Sequence, residues 1–176
     1  MWNPVKLHYQ TIVQQDLILM SQISGVFKIP KLIKMTILVM HNKNSHFDQL
    51  KGILSTAVAV SYISYQKPFF IVQSKKNLKK IVGCKVTIRK KKYVFFFFFL
   101  LLIEIFPKIS QFKGFFKSIP FGLFNFNIKN FYLFKNFLHL FFIIDNLKVL
   151  NCQLHFNSKD EINNLILSKS LLICFK

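Results

Sequence analysis

Cys152 and His155 stand three residues apart with His139 upstream, the nearest this chain comes to a metal-ligand set. Zinc requires three or four thiolate, imidazole or carboxylate groups converging on one point, usually at recognisable spacing. The other histidine pair, His41 and His46, is distant. The three cysteines (Cys84, Cys152 and Cys174) contain no Cys-x-x-Cys, and their odd number argues against a disulfide framework. Acid–base catalysis requires paired carboxylates or a histidine–carboxylate couple. The whole chain has six acids, and Asp160-Glu161 has a structural use at a helix start. Cys84 lies among cations, which favour the thiolate, but no histidine stands near it in sequence to act as base. Neither common glycine loop for phosphates is present. These residues point to no catalytic activity, no cofactor and no metal.

What the chain has in quantity is positive charge. Lys and Arg number 25 against six acids, a net charge of +19, which implies affinity for polyanions or anionic lipid. Between Ser74 and Lys92 lie nine cations and no acid: Lys75, Lys76, Lys79, Lys80, Lys85, Arg89, Lys90, Lys91 and Lys92. An uninterrupted apolar block follows after Tyr93: Val94, Phe95, Phe96, Phe97, Phe98, Phe99, Leu100, Leu101, Leu102 and Ile103. As a helix these ten residues cover about 15 Å, half of a ~30 Å hydrocarbon core. Extension to residue 113 brings in Glu104, Pro107 and Lys108. Ten such apolar residues contribute roughly −3 to −6 kcal/mol to insertion, and each central charge costs about 2.5–3.5 kcal/mol, so the balance is near zero. The basic flank adds about 1 kcal/mol per cation near an anionic surface.

The first expectation is therefore a membrane protein without catalytic activity. Residues 93–113 form its transmembrane or interfacial segment, the nine cations contact anionic lipid of the bilayer, and 75–92 lie on the cytoplasmic side. A mean hydropathy of +0.37 with 23 Phe favours this over a freely soluble basic protein, because exposed rings self-associate. The alternative from another class is a lysine-rich nucleic-acid-binding protein, with Lys75–Lys92 neutralising phosphates and Tyr93 and the Phe run offering stacking faces. No recognised nucleic-acid module accompanies them.

A third reading comes from composition. The chain has 24 Lys against one Arg, and only two Ala. A surface selected for phosphate would use arginine's planar fork freely, and a selected core would use alanine beside its large rings. The favoured residues are those with A/T-rich codons. In composition, over its whole length, the chain resembles the Phe/Lys/Asn-rich proteins of AT-rich genomes, a resemblance that transfers no functional residue. Under this reading the frame encodes no maintained protein, and peptides from residues 1–50 would be missing from its source.

The elements are softly bounded, with five Gly and five Pro in 176 residues. Residues 1–74 form a mixed N-terminal region. After Pro4, the apolar spacing of Val5, Tyr9, Ile12, Val13, Leu17 and Met20 predicts a helix. Lys31–Met40 is a short apolar run and His41–Ser45 reads as a loop. Residues 53–73 form a second apolar segment, β-branched from Ile53 to Tyr65. The basic cluster 75–92 and the segment 93–113 follow, then a Phe-rich amphipathic region over 114–150. Within it, Asn125, Lys129, Tyr132, Asn136 and His139 make one polar stripe if 121–144 is helical. In the C-terminal region 151–176, Ser158-Lys159-Asp160-Glu161 reads as a capping box. It opens a helix over 159–174 with Ile162, Leu165, Ile166, Leu172 and Ile173 on its apolar face. No secretory leader or glycosylation sequon is visible, which makes a reducing compartment the default. The fold class this predicts is predominantly α with irregular regions, a small membrane-associated helical protein without a well-defined globular fold.

Overall fold

The computed structural model describes residues 3–21, 25, 28–40, 46–75, 78–109, 122–129, 133–134, 149–158 and 160–173. They form a mixed α/β fold around a five-stranded antiparallel sheet, which corrects the expectation of a predominantly α chain lacking a defined fold. In chain order the elements are α1 (Pro4–His8), a π turn (Tyr9–Val13), α2 (Gln14–Ser21), β1 (Leu32–Met40), α3 (His46–Ser64), β2 (Phe69–Lys75) and β3 (Leu78–Ile88). After these come α4 (Lys91–Leu100), a second π turn (Leu101–Ile105), a 3-10 turn (Phe106–Lys108), β4 (Leu123–Ile128), β5 (Leu150–Phe156) and α5 (Glu161–Ser170). The strands lie in the order β2-β3-β1-β5-β4, so β2 and β4 are edges. By contact the chain divides into two compact units. One comprises Met1–Met35, Arg89–Asn125 and Gln153–Lys176, the other Thr36–Ile88 and Phe126–Cys152.

In the first unit, the N-terminal helix starts where Asn3 caps it, its Oδ1 accepting the Val5 and Lys6 N–H groups at 3.1 and 3.3 Å. Tyr9, Val13 and Leu17, at intervals of four, are buried, while Ile12 and Met20 are exposed. The Tyr9 hydroxyl donates to the Pro30 carbonyl at 3.0 Å, and its ring lies 5.8 Å from that of Phe95 in a tilted pair that ties this helix to α4. His8 Nε2 approaches the Ser170 carbonyl at 3.0 Å, linking the same helix to the end of α5.

The apolar block that predicted a membrane anchor is core. Val94, Phe95, Phe97, Phe98, Leu100 and Leu101 are buried, Phe96, Phe99 and Leu102 half-buried, and only Ile103 is exposed. No helix among the described residues is long and apolar enough to cross a membrane. The α-helical part ends at Leu100, and the π and 3-10 turns that follow carry the chain to Pro107. The transmembrane segment 93–113, and the membrane localisation with a cytoplasmic basic flank derived from it, are therefore set aside. The second apolar candidate, 53–73, divides into helix α3 and strand β2. Between them Tyr65 takes a left-handed φ of 52°, the conformation that closes helices, and Pro68 prevents resumption.

β4 replaces the start of the amphipathic helix expected over 121–144. In Leu-Phe-Asn-Phe-Asn-Ile, residues Phe124, Phe126 and Ile128 are buried while Asn125 and Asn127 are exposed, an alternation of period two. Of the expected polar stripe, Lys129 is exposed just past this strand, and Tyr132, Asn136 and His139 lie outside the described residues. Gly122 precedes the strand with φ +70°, and a Cβ there would stand 2.6 Å from the Ser158 carbonyl oxygen, so only glycine fits. Asn164 of α5 donates to that same carbonyl at 2.9 Å, which anchors the segment before the helix.

The capping box is not formed. Asp160 is the N-cap and makes no side-chain cap bond, while Ser158 Oγ accepts the Asp160 N–H at 3.1 Å, one turn position too early. At the other end Ile173 N–H returns to the Ser168 carbonyl and Leu172 N–H to that of Lys169, the paired bonds of a Schellman closure. Leu172 occupies the left-handed position, φ 64°, and is exposed instead of lying on the apolar face.

In the second unit, α3 packs on β3. Gly52, Ile53, Thr56, Ala57, Ala59, Val60, Ile63 and Ser64 make its buried face. The hydroxyls on this helix are satisfied locally: Thr56 donates to the Ile53 carbonyl at 2.8 Å and Ser64 to that of Val60 at 2.7 Å. β2 and β3 pair antiparallel from Phe69 opposite Lys85 to Lys75 opposite Leu78, with an irregularity between Ile71 and Val72 that leaves Val82 without a partner in the register. Gly83 faces the end of β1 so closely that a Cβ would overlap the Val39 carbonyl oxygen and lie 3.1 Å from Met40 Cα.

Candidate nucleic-acid interface

The hairpin of β2 and β3 orders the cations that the sequence presents as an undivided run. Strand alternation places every second β3 residue on one face. Cys84, Val86 and Ile88 point inward and are buried, and Cys84 Sγ donates to Thr56 Oγ1 of α3 at 3.8 Å. Lys85, between them, points outward and is exposed.

Register then decides which aromatic residue meets which cation. Phe69 lies opposite Lys85, Ile71 opposite Gly83 and Gln73 opposite Lys80, and opposed residues share a face. The outer face of the hairpin therefore carries Phe69, Lys85, Ile71, Gln73 and Lys80 together. Phe69 is 77% exposed. Directly opposed positions on paired strands hold their Cβ atoms about 5 Å apart. An exposed aromatic residue and an exposed cation thus share one face of the hairpin.

The other expected cations distribute as follows. Lys75 closes β2 and Lys79 lies on β3 opposite Ser74, whereas Lys76 is outside the described residues. Arg89 and Lys90 are exposed between β3 and α4, and Lys91 and Lys92 are exposed in the first turn of α4. No acid sits in that turn and Lys90 makes no cap bond, so the positive end of the helix carries positive side chains. Tyr93 is half-buried, and the Phe run offered as a stacking platform lies mostly in the core. Phe69 was hidden at the tail of an apolar segment, and only the hairpin register sets it opposite Lys85.

No protein-family model matches the chain, and no curated protein does. The site's chemistry therefore rests on its own residues.

Among the described residues no group of three His, Cys, Asp or Glu could hold a metal. The Cys152-x-x-His155 spacing, which would converge on a helix, falls on β5, where positions three apart point to opposite faces. Cys152 is accordingly buried and His155 half-buried on the other side. His139 and His41 lie outside the described residues.

The cations near Cys84 in sequence do not set its thiol, whose surroundings in the fold are dominated by burial. Burial pushes the Cys84 thiol up, partly offset by its hydrogen bond with Thr56, and burial alone pushes Cys152 well up. Both native thiols are therefore expected to resist a disulfide reagent at pH 8. In a Cys174→Ser variant no thiol should titrate in the folded protein and two should titrate in 6 M guanidinium. The same groups set a pH dependence. A thiol whose folded pKa is raised stabilises the fold fully below its unfolded value of ~8.5 and loses that stabilisation as pH rises towards the folded value. For Cys152 the slope is about 1.4 kcal/mol per pH unit above that point. Urea midpoints should accordingly fall between pH 8 and 10, and a Cys152→Ala variant should flatten the curve.

Proposed function

We propose that this chain is a non-catalytic nucleic-acid-binding protein whose β2–β3 hairpin receives single strands. The observation that carries the reading is the in-register pair of an exposed Phe69 and an exposed Lys85, with Lys80 further along the same face. A single strand offers unpaired bases to stack and a phosphate every nucleotide to neutralise, and surfaces that bind it combine aromatic rings with cations. Lysines act as point charges without arginine's fork, so the contact reads backbone and stacking surface, not base identity. The +19 charge steers any polyanion towards the protein.

Fluorescence anisotropy with single-stranded DNA and RNA oligonucleotides tests this. Affinity should fall steeply with salt. Phe69→Ala should weaken binding about 5–150-fold, the loss of one stacked base at 1–3 kcal/mol. Lys85→Gln should reduce the slope of log K against log salt by about 0.7, one phosphate contact on a single strand. Binding indifferent to both substitutions would overturn the proposal. So would a clear preference for vesicles containing anionic lipid over oligonucleotides, which would assign the same cations to lipid headgroups.

A further inference from the structure

We infer that the outward face of α3 is where two copies of this chain meet, through an antiparallel contact between their α3 helices. α3 is apolar on both sides. Its inner face is buried with β3, and directly opposite, at intervals of four, stand Leu50 (49% exposed), Leu54 (59%), Val58 (39%) and Tyr62 (50%). A helix that is hydrophobic all round is an interior helix, and among the described residues no layer covers the outer side of this one. The stripe is about 18 Å long, the rise of twelve residues.

Charge selects the occupant. From Gly52 to Gln66 there is no charged residue, in a chain whose net charge is +19. A polyanion finds a single cation on this face, Lys51 at one end, and an interfacial lipid helix would carry cations along its whole polar flank. A face with its one charge at the end is instead one where two strongly basic molecules meet antiparallel without opposing like charges, the two Lys51 side chains lying at opposite ends.

The stripe is also self-complementary. A two-fold axis between Leu54 and Val58 sets Leu54 against the partner's Val58 and Leu50 against the partner's Tyr62, a larger side chain meeting a smaller one each time, as an isologous contact requires. The four side chains present roughly 400 Å² per copy, and the flanking Lys51, Ser55 and Ser61 bring the total for two copies to about 1,000 Å², the low end for a specific interface. An interface at that low end is expected to be weak and reversible.

Sedimentation equilibrium of the whole chain from 1 to 200 μM, in 0.15 M salt to screen the net charge, tests the inference. The average mass should rise from 20.8 kDa towards twice that value. Val58→Glu and, separately, Leu54→Lys should each hold the protein at 20.8 kDa at every concentration, with unchanged far-ultraviolet circular dichroism and melting temperature because both side chains point outward. An equimolar mixture of the two variants should recover the dimer, since the two-fold axis brings Glu at 58 against Lys at 54. A wild-type mass that stays at 20.8 kDa at 200 μM overturns the inference, and so does a Val58→Glu chain that dimerises as the wild type does.

Discussion

Replacing Phe98 by alanine is expected to cost about 3–5 kcal/mol of folding stability, the range for emptying a fully buried aromatic site. Phe98 is 0% exposed and heads the largest fully buried side chains among the described residues. Phe95 and Phe97 of the same helix are also buried. For a chain of this length each kcal/mol moves the melting temperature by about 2–4 °C, which places the drop near 10 °C or more. Ile103, a few residues on and 57% exposed, provides the contrast: Ile103→Ala should change stability by less than about 1 kcal/mol. Differential scanning calorimetry of the two variants measures both. Equal effects at the two positions would contradict the placement of the Phe run in the core.

Gly83→Ala is expected to cost at least about 3 kcal/mol, more than a one-carbon change ordinarily does. The added methyl would overlap the Val39 carbonyl oxygen and press on Met40 Cα. Both are backbone atoms of a paired strand, so relief requires β1 and β3 to part, with loss of their hydrogen bonds. Gly25 supplies the internal control. A Cβ there meets nothing within 4 Å, and Gly25→Ala should stay within about 0.5 kcal/mol. Urea denaturation of both variants checks the pair of expectations. A Gly83→Ala protein as stable as the wild type would mean that the two strands are not held at this separation.

The residues themselves explain what could be read from the chain and what could not. The N-terminal helix was legible because Pro4 marks its start and Tyr9, Val13 and Leu17 repeat at a helical interval. The strands were not, and in β1 and β3 lysine breaks the apolar pattern. In β3 the alternation Cys84, Val86, Ile88 was obscured by the charge run that surrounds it. In β4 the period of two in Phe-Asn-Phe-Asn-Ile was outweighed by a polar stripe of longer period that runs past it in the sequence. The Phe95–Phe99 block has no period at all, and a uniform apolar run cannot distinguish a membrane segment from a core helix. Of the candidate site, the cations were visible as charge. Their aromatic partner was not, since the choice of Phe69 over the other 22 phenylalanines is made by the hairpin register, a pairing between distant positions.

The position of β2 at the edge of the sheet also governs how the protein behaves in concentrated solution. Phe69 to Ser74 is six uncharged residues rich in strand formers, with Phe69, Phe70 and Val72 exposed, and the edge strand offers its backbone to another molecule's edge. Lys67 on one side and Lys75 and Lys76 on the other are the only charges that bracket it, and they act as gatekeepers by repulsion. That repulsion reaches about 8 Å at physiological salt and about 3 Å at 1 M, less than the 4.7–4.9 Å between paired strands. Ionic strength, more than the melting temperature of the core, therefore sets how long this molecule stays dispersed.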